Sequence, residues 1–162
     1  MQIILSAAEL GQCKKAAARR TNYARSSNIK NQRFAKDQSD LSVDYIGMVG
    51  ELAVAKALGL QMDFDKVGVD YGIDFIYGNL KVDVKTRSHP NTELIFKSHE
   101  AFKAQVAILA KFKREDCVDI LGCISRKRFK KHSKPAVYGC LGVSLNHLQP
   151  IEKLISYTQE QL

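Results

Sequence analysis

The sequence predicts a mixed α/β, or α+β, domain in which one central mixed sheet of about five strands is flanked by helices. Three observations lead there. Two apolar-rich runs, Ile73–Tyr77 and Leu80–Val84, flank Gly78-Asn79, and a two-residue Gly/Asn link between alternating segments is a strong hairpin signal. Helical patterns come before that hairpin. Further strand-like runs at Glu93–Lys97, Val106–Phe112, Val118–Ser125 and Ala136–Val143 come after it and lead into a helical ending.

In chain order, Ser6-Ala7-Ala8-Glu9 is a capping-box pattern, in which serine hydroxyl and glutamate carboxylate each take a backbone N–H of the first turn. It opens a helix through the alanine-rich Lys14–Arg20 stretch that ends around Asn22–Ser27. The polar segment 26–40 that follows has little apolar periodicity and reads as a loop or arm. From Leu41 a second helix places Ile46, Val49, Ala53 and Ala57 on one stripe and stops at Gly59. Gly47 and Gly50 each lower helix propensity by about 1 kcal/mol relative to Ala, so close approach of another element, the hairpin, is expected there. Glu51 rides this helix. After the strands, Pro150 with Ile151, Leu154 and Ile155 marks a short C-terminal helix.

A chain of 162 residues fits one domain over 1–162, with 1–40 as its basic N-terminal helix and arm. No segment approaches the roughly 20 apolar residues that span a bilayer, so no membrane partner is expected. Met1–Leu5 lacks the basic start and apolar length of a secretory signal, which makes an intracellular, cytoplasmic setting the expectation. Cys13, Cys117, Cys123 and Cys140 are spaced for neither a zinc site nor a disulfide framework and are read as reduced core thiols.

The net charge of +8 is unevenly distributed. Lys14, Lys15, Arg19, Arg20, Arg25, Lys30, Arg33 and Lys36 occur with no acid among them, and so do Arg126, Lys127, Arg128, Lys130, Lys131 and Lys134, the latter read as a loop. Such clusters suit a polyanion, because each neutralised phosphate releases counterions, and they equally suit a solvated basic face or anionic lipid. Tyr23, Phe34 and Tyr45 interleave with basic residues and fit either base stacking or core roles. His89 and His99 have no supporting pattern and are read as solvated loop histidines.

The chemistry is concentrated in the hairpin. With the turn centred on Gly78-Asn79, Tyr77 faces Leu80, Phe75 faces Val82 and Asp74 faces Asp83. Opposed residues share a side of the sheet with Cβ atoms about 4.5–5.5 Å apart, so two carboxylates meet and repel unless a cation intervenes. Lys85 projects from the same side. A divalent ion such as Mg²⁺ takes one or two carboxylates plus phosphate oxygens, which makes Asp74 and Asp83 candidate ligands and the Val84 carbonyl a third.

Glu51 on a helix, Asp74 at one strand and Asp83-Val84-Lys85 on the next resemble the PD-(D/E)XK nuclease superfamily, whose restriction-endonuclease-like fold includes Holliday junction resolvases and many phage nucleases. The resemblance spans Gly47 to Arg87, with Ile73 where the name-giving proline would stand. It implies a mixed sheet flanked by helices and Mg²⁺- or Mn²⁺-dependent hydrolysis of phosphodiester bonds. It implies also metal ligation by Asp74, Asp83 and Glu51 and a place near the nucleophile for Lys85. Thr86, Arg87 and the basic clusters would then contact the DNA backbone. Resolvases of this fold act as homodimers, which extends the expectation to a C2 pair. Two function classes follow: a metal-dependent, structure-selective or phage-type deoxyribonuclease, or a non-catalytic nucleic-acid binding protein on the same scaffold.

Overall fold

The capping box forms in full in a computed structural model of the chain, which describes residues 1–29, 39–65, 71–90 and 92–160. Ser6 Oγ accepts from the Glu9 N–H, and the Glu9 carboxylate accepts from the Ser6 N–H at 2.6 Å. Helix α1, Ala7–Ser26, follows and buries Cys13, Ala16 and Ala17. Helix α2, Asp40–Leu58, is capped by Ser39 and ends at Gly59, whose φ of 68° is the left-handed conformation its position requires. Lys30, Arg33, Phe34 and Lys36 lie outside the described residues.

The hairpin forms with the register that the turn dictates. Strand β2, Phe75–Tyr77, pairs antiparallel with β3, Leu80–Arg87, through Tyr77↔Leu80, Ile76↔Lys81 and Phe75↔Val82. The predicted start of the first strand at Ile73 is shortened, and Asp74 stands just before it. Strand β3 then pairs parallel with β5, Val106–Arg114, and β5 antiparallel with β6, Cys117–Ser125. The N-terminal Gln2–Ile4, not read as a strand from the sequence, is β1 and adds to the far edge of β6. Three residues carry too little periodicity to announce a strand; the partner edge supplies the reason for one. The order of this mixed five-stranded sheet is β1-β6-β5-β3-β2.

Two expected strands go elsewhere. Leu94–Phe96, β4, joins a separate three-stranded sheet with β7, Lys134–Pro135, and β8, Leu141–Val143. The run Ala136–Val143 is therefore not one strand, because a short helical turn at Val137–Gly139 with Tyr138 at φ 59° breaks it. The segment read as a basic loop is helix α3, Arg126–His132, capped by Ser125 Oγ and anchored by the buried Phe129. Helix α4, Ile151–Gln159, closes the chain.

Alternation along β3 divides the interior into two cores. Val82 and Val84, with Val106, Ile108 and Ala110 of β5, pack under α1 and α2 beside Met48, Val49 and Ala53. The opposite face carries Ala107, Leu109 and Ile124 against Leu94, Phe96, Phe102 and Phe129. Phe96 stacks on Phe102 with ring centres 4.4 Å apart, and Phe129 meets both edge-on. Each such aliphatic or aromatic side chain contributes about 1.5–3 kcal/mol by leaving water. All four cysteines are free and buried, and desolvation pushes Cys13 up to about 12 and Cys123 to about 11. Among the described residues no helix is long and apolar enough to cross a membrane.

Candidate functional site

Gly50 explains how α2 comes close to β3. A Cβ at Gly50 would stand 1.9 Å from Thr86 Oγ1, so only glycine lets the helix settle on that strand. Gly47 faces open space, and its expected close contact is absent. The same packing places Glu51, the next residue of α2, beside α1. There Arg20 grips its carboxylate with two hydrogen bonds of 2.9 and 3.0 Å, a bidentate geometry that fixes the plane of both groups.

Asp74 reaches this neighbourhood from the hairpin. The β2 ladder ends at Phe75↔Val82, and the Asp74 carboxylate accepts the Val84 N–H at 2.6 Å in place of a further backbone rung. The Asp74 N–H donates to the Val82 carbonyl at 2.9 Å. Val82 and Val84 therefore turn their main-chain groups toward the β2 side. Since the N–H and C=O of one strand residue point to the same edge, the Val84 carbonyl faces the edge where β2 has stopped. Arg20, Glu51, Asp63, Ile73 and Asp74 line one cavity of about 320 Å³.

Asp83 and Lys85 do not line that cavity. Both project from the face of β3 opposite α2, where Asp83 is 1% exposed and its Oδ1 lies 2.6 Å from Lys85 Nζ. The Lys85 ammonium also lies 5.3 Å from the centre of the Phe96 ring. Asp83 Oδ2 stands 3.8 Å from where a Gly72 Cβ would be, so segment 72–74 borders Asp83 at one end and the Glu51 cavity at the other. Asp74 and Asp83 thus share this segment as a neighbour, with Asp74 Oδ2 accepting from the Val84 N–H and Asp83 Oδ1 paired with Lys85. The ladder stops at Phe75↔Val82, so Asp74 and Asp83, opposed in the idealised register, are not a ladder pair.

Among the described residues, no three His, Cys, Asp or Glu side chains are grouped to hold an ion by themselves. Three carboxylates, Glu51, Asp63 and Asp74, nonetheless line the one cavity, and Mg²⁺ takes only one or two when substrate phosphate completes its shell.

The expected backbone contacts divide sharply. Thr86 Oγ1 is buried under Gly50 and is out of reach of a phosphate, because its parity turns it toward α2. Burial lowers the Arg87 guanidinium from its ordinary pKa, and its Nε is enclosed. In α1, Lys14 is 2.6 Å from Glu115 and Arg19 is 2.9 Å from Asp65, while Lys15 and Arg25 are exposed. In α3, Arg126, Lys127, Arg128, Lys130 and Lys131 are all exposed. None of these five lies within ion-pair distance of a carboxylate among the described residues.

His89 is exposed. His99, expected to be solvated, is half-buried: its Nε2 is 2.9 Å from Ser133 Oγ and its ring meets Phe129 edge-on. Sequence reading missed the stacked pair His132 and His147, with ring centres 4.6 Å apart, and no local pattern joins residues on separate turns. Tyr45 packs on the α1/α2 core with Lys14 Nζ 5.8 Å from its ring centre, and Tyr23 is exposed. No family model, curated protein or solved structure matches this chain.

Proposed function

We propose that the chain is a metal-dependent nuclease that hydrolyses DNA phosphodiester bonds, on a restriction-endonuclease-like core. One observation carries the reading. The Asp74 carboxylate, seated on the Val84 N–H at the end of β2, shares a cavity with Glu51 of α2, as the resemblance to PD-(D/E)XK nucleases leads one to expect. Glu51 and Asp74 would hold Mg²⁺ or Mn²⁺, and the Val84 carbonyl faces the same strand edge. When bound, such an ion supplies Lewis acidity toward the phosphoryl oxygen and lowers the pKa of a coordinated water.

The chain's own groups do the rest. The Val84 N–H orients Asp74, and the two Arg20 bonds orient Glu51, so neither carboxylate must be ordered when substrate arrives. Lys85 pairs with Asp83 and does not line this cavity, so the reading rests on Glu51 and Asp74 and not on the place near the nucleophile that the resemblance implies for Lys85. The exposed cations of α3 are available to the DNA backbone.

A second reading, a non-catalytic nucleic-acid binding protein, is favoured by the ion pairs themselves. Glu51 and Asp83 already face Arg20 and Lys85, so both charges are balanced without an ion. Purified protein incubated with supercoiled, linear, single-stranded and four-way-junction DNA, in Mg²⁺ or in EDTA, separates the two. Cleavage in Mg²⁺ alone is expected, and Asp74→Asn is expected to lose at least about 100-fold of it while keeping DNA affinity. Binding without metal-dependent cleavage of any substrate would replace the first reading by the second.

A further inference from the structure

We propose that the tip of the β7–β8 hairpin is a stacking site for an unpaired base, and that with α3 it makes the protein a binder of single-stranded DNA. The inference rests on the nucleic-acid reading above and deepens it by naming the substrate class. Tyr138 is 73% exposed and Val137 55%, although the hairpin that carries them is ordered by hydrogen bonds from the Ala136 N–H to the Cys140 carbonyl and from the Cys140 N–H to the Val137 carbonyl. Tyr138 also holds a left-handed backbone at φ 59°, a conformation rare for an aromatic residue. With nearly three quarters of its surface exposed at a cost in backbone strain, Tyr138 leaves a ring face accessible to a bound partner.

The surroundings indicate which partner. Helix α3 runs directly into this hairpin, and Lys134 opens β7. From Lys134 to Tyr138 the chain spans at most about 14 Å, so a strand held by its phosphates on Lys131 and Lys134 passes within reach of the ring. The His132–His147 stack and the Ser133 N–H bond to the Phe129 carbonyl fix the end of α3 where the hairpin begins. Only Phe129 of α3 is buried, and cations occupy the remaining faces. That rules against a helix lying in a lipid interface, which needs an apolar face turned outward. A cationic track beside one exposed aromatic is instead the arrangement that binds single strands, where every base offers a bare π-face. Paired bases inside a duplex offer none.

The test uses the full chain in EDTA, with a fluorescein-labelled oligothymidylate, a blunt duplex of equal length, and vesicles of phosphatidylcholine with phosphatidylserine. Tyr138→Asn removes the ring while keeping a residue that tolerates positive φ, and Tyr138→Phe keeps the ring. The wild type is expected to bind the single strand. Tyr138→Asn should lose about 5- to 100-fold of that affinity, the worth of one base–aromatic stack, Tyr138→Phe should lose little, and duplex binding should change less than about twofold. The chain contains no tryptophan, so quenching of tyrosine emission by the oligonucleotide, diminished in Tyr138→Asn, is a second readout. Equal loss on both DNAs, no loss on either, no DNA binding at all, or Tyr138-dependent binding to vesicles alone would overturn the proposal. Because metal is absent throughout, a protein that shows the split but never cuts DNA keeps this inference and loses the nuclease reading. One that cuts DNA without the split does the reverse.

Discussion

The two basic regions of this molecule look alike as sequence and differ in structure. On α1, Lys14, Arg19 and Arg20 meet Glu115, Asp65 and Glu51. On α3, none of the five exposed cations lies within ion-pair distance of a carboxylate among the described residues, though a backbone hydrogen bond, with Lys130 as a lesser cause, lowers the Glu100 pKa. A charge already facing an internal partner must give up that partner to bind a phosphate, whereas a solvated one gives up only water and small ions. On the proposed nucleic-acid reading α3 would be the better phosphate contact, while α1 uses Arg20 to hold Glu51 in place.

The largest expected effect tests that division directly. Replacing Lys127, Arg128, Lys130 and Lys131 together by Ala should lower duplex affinity by more than about 100-fold at low salt and flatten the salt slope by roughly three to four. The same replacement at Lys14, Lys15, Arg19 and Arg25 should cost about tenfold or less. Salt-series anisotropy titrations read both, and equal losses would erase the distinction.

Stability should show the opposite ranking. Arg20→Ala leaves the Glu51 carboxylate, 11% exposed, without its guanidinium and is expected to cost about 2–3 kcal/mol. Lys130→Ala and Lys131→Ala should stay within about 0.5 kcal/mol of the parent in urea unfolding, since each leaves an exposed surface. A destabilisation from the α3 variants as large as that from Arg20→Ala would mean that the basic helix is structural after all.

The smallest effect concerns the end of α3. Desolvation, then His147, Lys131 and Arg128, lower the His132 pKa below its ordinary 6.5. The fold thus prefers neutral His132, and its contribution is complete above the ordinary value and declines as the pH falls through 6.5 toward the lowered one. Melting temperatures measured from pH 7.5 to 5 should fall more steeply for the parent than for His132→Gln. Parallel curves would remove His132 from the account.

Local chemistry was legible where a residue's conformation depends on its neighbours in sequence. Ser6 and Glu9 formed their capping box, Gly59 ended α2, and the Gly78-Asn79 link set the β2–β3 register through Phe75↔Val82. Capping and turn geometry involve only a few consecutive residues, so the sequence alone specifies them. The close approach at Gly50 was also readable, because a glycine that weakens a helix needs a packing reason.

What tertiary structure decided concerns partners distant along the chain. β1 exists because the edge of β6 was open, and β4 and β8 left the main sheet for one of their own. Asp74 left the ladder for the Val84 N–H and Glu51 took Arg20, whereas the Asp83–Lys85 pair follows from the alternation of β3 alone. Pairing of charges depends on distances of a few ångströms between separate elements, and periodicity holds no information about them. By itself the sequence determined the mixed α/β class, the helix ends and the candidate acidic residues. Only the packing of α1, α2 and β3 decided which of those acids share a cavity and which cations remain exposed for a partner.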